Sequence, residues 1–165
     1  MGLSKGLEQA MNDQVTKEFQ AAYLYLAMAA WCEERNFDGF GSWMKAQARE
    51  EAAHAMKLFE FVLDRGGRVA LGPLSQPKTT WKTPLAVFDS AAKHEAAVSA
   101  SIRAIYEQAG REKDHSCQIM LQWFITEQVE EEKTSTALVE RLRLVGDNPA
   151  ALMMLDNQLG ARTGG

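Results

Sequence analysis

Glu18, Glu51 and His54 in the first half of the chain are matched by Glu95, Gln128 and Glu131 in the second, each pair separated by 77 positions. Within each half the last two stand three residues apart, neighbours on one helical face. The register therefore reads as one carboxylate from each of two helices plus an i, i+3 ligand pair from each of two others. That is how a four-helix bundle holds two metal ions in its core.

The apolar pattern says where these groups point. At about 100° per residue, Leu7, Met11, Ala22, Tyr25 and Ala29 fall within about 40° of Glu18, so this acid sits mid-stripe. Met44, Ala55, Leu58 and Val62 flank Glu51; Phe88, Ala91, Ile102 and Tyr106 flank Glu95; Met120, Phe124, Leu138 and Leu142 flank Glu131. Four carboxylates are thus aimed into one core. A lone buried carboxylate gives up several kcal/mol or more of solvation, and it stays protonated unless a cation compensates it. A buried salt-bridge network would be the bland explanation, but no Lys or Arg shares a stripe centre with these acids. Two divalent ions would cancel four negative charges, and oxygen donors with one imidazole suit iron or manganese and accept zinc.

Composition narrows the partners. The 165 residues carry a net charge of -4 and no basic stripe interleaved with aromatics, so nucleic acid is not expected. No apolar run reaches a membrane span, and the opening MGLSKGLEQAMNDQ lacks the apolar stretch of a secretory signal, so the expected location is cytoplasmic. Cys32 and Cys117 stand alone, which fits reduced packing thiols.

Four long amphipathic segments are predicted at about 4–35, 39–65, 83–110 and 114–145, with a short fifth helix from about Ala150 to Leu159. Ser4 is a plausible first cap; Asn36 and Gly39, Gly66-Gly67, Gly110 and Gly146 mark the breaks. The stretch GGRVALGPLSQPKTTWKTP is too long for a tight turn. A helix of about 28 residues spans some 42 Å, and about 15 extended residues cover that distance. The linker can run the length of the bundle and leave helices two and three parallel. The expected fold is all-α, a four-helix bundle with one long crossover between helices 2 and 3 and a short C-terminal helix. Leu152, Leu155 and Leu159 form a stripe on that last helix, and with the four-helix core already closed it is expected to meet other copies of the chain.

The stretches EFQAAYLYLAMA around Glu18, REEAAHAMKLFEFVLDRGGRV around Glu51 and His54, KHEAA at Glu95 and WFITEQVEEEK over Glu127 to Glu131 carry a resemblance. With them the chain resembles the non-haem bacterial and archaeal ferritins from first helix to last. The resemblance implies one ferritin-like domain over 1–165, with the bundle at 4–145 and the C-terminal helix at about 149–160. It implies a ferroxidase centre with one iron on Glu18, Glu51 and His54 and a second on Glu51 as bridge, Glu95 and Glu131. Gln128 and Tyr25 would stand beside the pair, and Glu50, Glu127 and Glu130, with Glu131 shared, would form a third iron site. The bland reading of Glu50, Glu127 and Glu130 is a solvated acidic edge. A haem-binding relative would have a second ExxH on the fourth helix and Met after the bridging Glu; Glu131 and Ala52 stand there, so haem is not expected. An animal-type iron channel needs carboxylates near the start of the fourth helix, where only Asp114 is acidic.

The resemblance further implies iron storage: oxidation of Fe(II) by dioxygen or peroxide, and a ferric mineral kept inside a homo-oligomeric shell of 24 subunits. Two other readings stay open at this level. A di-metal oxygenase or catalase would share the bundle without needing a shell, and a purely structural helical protein would bind no iron.

Overall fold

The computed structural model describes residues 2–162; Met1 and residues 163–165 of the expected 1–165 domain lie outside the described residues. Its regular elements are five helices: α1 (Lys5–Glu33), α2 (Asp38–Asp64), α3 (Pro84–Arg111), α4 (His115–Val145) and α5 (Pro149–Arg162). Local chemistry sets most of the ends. Ser4 Oγ accepts the Leu7 N–H at 3.1 Å, Thr83 Oγ1 accepts that of Ala86 at 3.1 Å, and Asp114 Oδ1 accepts that of Cys117 at 3.0 Å, so side-chain oxygens start α1, α3 and α4. Asn36 closes α1 at φ 63°, and Gly66 and Gly146 close α2 and α4 at φ 69° and 54°.

Two of the expected glycine breaks are not breaks. Gly110 lies inside α3, and Lys113 takes the left-handed turn instead, at φ 59°. Gly39 lies in the first turn of α2, where a Cβ would sit 1.7 Å from the Asp156 carbonyl oxygen on α5. It is a close-approach glycine, selected by a contact that helical periodicity does not register.

Pair contacts define the direction of each helix. The end of α1 meets the start of α2 through Glu33 and Lys45, and α1 runs against α3 through Tyr25 with Glu95 and Lys17 with Ser101. Asp89 and Arg143 pair the start of α3 with the end of α4. Hence α2 and α3 both oppose α1 and are parallel to each other, as the linker length requires. The linker climbs α1 on a ladder of side chains one turn apart. Glu8 accepts the Arg68 N–H at 2.9 Å, Asn12 bonds Arg68 O and Ala70 N at 2.8 and 2.9 Å, Thr16 accepts the Gly72 N–H at 3.0 Å, and Gln20 bonds both backbone groups of Ser75. An edge-to-face contact between Trp31 and Trp81 ends the climb.

The core is split in two. Around Trp43, Phe40, Phe88 and Leu142 one cluster fills one end of the bundle, and around Leu7, Met11, Leu58, Ile102 and Phe124 another fills the opposite end. Polar side chains occupy the space between them. The α5 expectation is corrected here: Leu155 and Leu159 are buried in the first cluster of their own chain, with Leu152 packed against it, because α5 folds back onto α2. The large apolar side chains that α5 leaves in water, among the described residues, are Met153 and Met154.

Candidate metal centre

Glu18 on α1, Glu51 on α2 and Glu95 on α3 are all at most 1% exposed, and His54 on α2 and Gln128 on α4 are buried with them. Glu131 on α4 is only half-buried, closer to the edge than its place on the stripe suggests. One oxygen or nitrogen from each of Glu18, Glu51 and His54 lies within 4.8 Å of the others, a spacing that one cation can span. Glu95 and Glu131 are near enough to act on Glu51 by charge, but their atoms are not drawn into that trio.

Hydrogen bonds divide the carboxylates into engaged and unengaged oxygens. Tyr25 donates its phenol proton to Glu95 Oε1 at 2.5 Å, and Gln128 Nε2 donates to Glu95 Oε2 at 3.1 Å while also reaching Ser99 Oγ at 3.2 Å. Gln14 Nε2 donates to Glu18 Oε1 at 2.7 Å, and Gln47 Nε2 to Glu131 Oε2 at 2.8 Å. Glu18 Oε2 and both oxygens of Glu51 are buried with no hydrogen-bond donor aimed at them. Buried polar atoms are nearly always satisfied, so three orphaned oxygens in one place mark a site made for a cation or a proton.

Without a cation the protons take over. Burial, then Glu95, Glu18 and Glu131, push Glu51 up to about 11, so Glu51 keeps its proton at neutral pH and can share it with Glu18. Burial also raises Glu18, against the opposing pull of Glu51, Gln14 and Lys17. Glu131 rises to about 7, through burial first, with Glu95, Glu50 and Glu127 adding to it. His54 moves down, through burial and then the Lys57 ammonium, and is therefore neutral and ready to act as a nitrogen donor. Oxygen donors with a single neutral imidazole fit iron, manganese or zinc.

The acidic group expected beside the pair is gathered in part. Glu50 and Glu127 are close enough to raise Glu131. Glu130 is exposed, with Lys133 Nζ at 4.0 Å. Asp114, the only acid at the start of α4, is held by both guanidinium nitrogens of Arg65 at 2.9 Å while it caps the helix, so it is committed to structure.

Sequence reasoning missed Gln14, Gln47, Ser99 and Trp123. Gln14 and Gln47 each stand four residues before a candidate ligand on the same face, which was the available signal. Trp123 lies edge-on to His54 at 5.5 Å with Lys57 over its ring at 4.1 Å, and spacing alone does not reveal such a contact.

A family model described as a ferritin-like domain matches residues 8–145. The chain belongs to the ferritin family. It is 38% identical over 160 residues to a bacterial non-heme ferritin of Bacteroides fragilis, covering 97% of this chain and 99% of that one. A bacterial non-heme ferritin of Staphylococcus aureus is 36% identical over 161 residues, 98% of this chain and 97% of its own. Among solved structures, an open pore ferritin from the hyperthermophilic archaeon Archaeoglobus fulgidus superposes with a TM-score of 0.96 at 42% identity, over 96% of this chain and 98% of that one. An engineered closed form of the Archaeoglobus ferritin gives 0.95 at 43%, over 96% and 97%. No helix among the described residues of this ferritin-family chain is long and apolar enough to cross a membrane.

Proposed function

We propose that this chain is a cytoplasmic iron-storage ferritin that oxidises Fe(II) at a two-iron ferroxidase centre inside each bundle. One Fe(II) binds Glu18, Glu51 and His54; the second uses Glu51 as a bridge, with Glu95 and Glu131. The observation that carries this reading is the set of buried, unengaged oxygens on Glu18 and Glu51 beside a neutral His54. Each Fe(II) gives up one electron, and one dioxygen takes both with two protons to become hydrogen peroxide. Two irons held together are needed because one supplies only half of that. The Glu51 proton leaves as the cations arrive, and the carboxylates then favour Fe(III) over Fe(II) by charge. Tyr25 and Gln128 hold Glu95 in place.

Glu50, Glu127 and Glu130, with Glu131, make up a third iron site in this reading. Its support is the charge acting on Glu131 from Glu50 and Glu127, together with the motif match at Glu130. Haem plays no part.

The ferric product passes to a mineral inside a homo-oligomeric shell of 24 copies. Assembly is supported by apolar side chains that a single chain leaves in water, namely Tyr23, Leu26 and Leu74 around a hollow beside the linker, and Met153 and Met154 on α5.

The test pairs particle size with iron chemistry. Parent protein elutes as a large hollow particle and oxidises Fe(II) rapidly in air. Glu18→Ala and His54→Ala each slow the fast phase by about 100-fold or more, beyond what loss of an outer-shell partner does, while circular dichroism stays helical. A monomer or dimer that keeps its metals would favour a di-metal oxygenase, and a fast phase unchanged in both variants refutes the site.

A further inference from the structure

Gln14 is fully buried on α1, one turn before Glu18, and its amide is held at both ends. Nε2 donates to Glu18 Oε1 at 2.7 Å, and Oε1 accepts the Ser101 hydroxyl of α3 at 2.6 Å. Ser101 Oγ in turn accepts from the exposed Lys17 Nζ at 2.8 Å. With Glu18 ionised, as cation binding leaves it, these three bonds run in one sense. An ammonium has donors and no acceptor, so the Ser101 oxygen accepts and turns its single hydrogen towards the Gln14 carbonyl; the amide then presents N–H to the carboxylate.

The result is that the two oxygens of Glu18 differ. Oε1 is engaged by the amide, and Oε2 is buried with no donor aimed at it beyond the proton that Glu51 can share. A Gln14 amide turned the other way would set its carbonyl oxygen against the carboxylate, which is repulsive. An amide does not pass protons along as a hydroxyl does, so the chain orients and does not conduct. The other half of the pseudo-symmetric site has no counterpart: Ala91 stands four residues before Glu95, and Tyr25 and Gln128 engage both of its oxygens.

We propose that Lys17, Ser101 and Gln14 are positioning residues for the metal centre. They lock the Gln14 amide as a donor, so that Glu18 meets Fe(II) or a similar divalent cation through Oε2 alone, and they thereby set the cation affinity of the Glu18, Glu51 and His54 group from the outer face of the bundle. The inference rests on the metal-centre reading above. Ser101 reaches the centre through Gln14, and Lys17, bonded to Ser101, also acts on Glu18 by its charge.

The test adds Co(II) alone to the metal-free full chain and follows affinity by calorimetry and coordination by the intensity of the Co(II) d–d bands. Ser101→Ala and Gln14→Leu weaken the first Co(II) by about 10- to 100-fold, the usual effect of losing an outer-shell partner. They also change the band intensity, because Glu18 is then free to bind through both oxygens. Lys17→Met shifts both readings in the same direction by less, and Ser101→Thr, which keeps the hydroxyl, restores them. Parent-like affinity and bands in Ser101→Ala and Gln14→Leu overturn the inference, as does a lowered melting temperature with unchanged Co(II) binding, which is a purely structural effect. A parent protein that takes up no Co(II) overturns the metal-centre reading and this inference with it; binding in the parent with indifferent variants overturns this inference alone.

Discussion

The Asp156 carboxylate on α5 accepts the Phe40 backbone N–H at 2.8 Å, across 116 positions of sequence. It also accepts the Gly39 N–H at 3.2 Å. Phe37, at the N-cap of α2, offers no side-chain acceptor of its own, so α5 supplies the cap from outside. Asp156→Ala is expected to cost about 1–2 kcal/mol, read as a lower urea midpoint. Gly39→Ala forces a Cβ into the Asp156 backbone and should release α5, seen as faster proteolysis near residues 147–149. A protease-resistant Gly39→Ala chain would contradict the close crossing.

Asn12 holds the crossover by both ends of its amide, one to Arg68 O and one to Ala70 N–H. Asn12→Leu leaves two backbone groups of the linker without partners, each worth about 1–3 kcal/mol where water is excluded. The variant should be less stable by roughly 2 kcal/mol or more on the same principle, with amide exchange at Ala70 rising first. Uniform protection along the linker would argue that the ladder contributes nothing.

In the metal-free protein Glu51 holds its proton up to about pH 11 and Glu131 up to about pH 7, whereas unfolding returns both to 4.5. The folded state therefore binds more protons over that range, and stability falls as pH rises. The contribution is complete below 4.5 and is lost on the way up through the folded values. His54 and His94, both moved down from 6.5, act in the opposite sense: their contribution is complete above 6.5 and lost as pH falls. Between pH 7 and 9 the carboxylates operate, joined towards pH 9 and in the same sense by the Cys32 and Cys117 thiols, which burial raises from 9.0 to about 12. The metal-free melting temperature should fall over that interval, saturation with Zn(II) should flatten the fall, and Zn(II) binding at pH 7 should release protons, measurable in buffers of different ionisation enthalpy. A melting temperature that rises from pH 7 to 9, or binding without proton release, would count against the protonated pair.

Glu130 is exposed, with Lys133 Nζ at 4.0 Å. Glu130→Ala should leave the fast oxidation of the first two Fe(II) per chain within about twofold of the parent, since an exposed side chain away from special features contributes little. It should still change the oxygen consumed per iron, read with an oxygen electrode. Loss of the fast phase would place Glu130 in the pair itself.

Glu18, Glu51 and Glu95 were legible as buried acids because the helical repeat alone fixes the direction of a side chain around its own axis. The crossover was legible because chain length limits reach and α2 and α3 had to be joined across the bundle. Periodicity says nothing about the height and rotation of one helix against another, and the remaining features depend on those. Gln47 lies four residues before Glu51 yet bonds Glu131, because α4 presents that acid at its level. The row Glu8, Asn12, Thr16 and Gln20 has the look of a wet face and is instead the track of the linker, since polar side chains satisfy backbone groups of a passing strand as readily as they meet water. The leucines of α5 show the same division: sequence determined that they form one stripe, and only the packing of α5 on α2 decided that the stripe closes its own bundle.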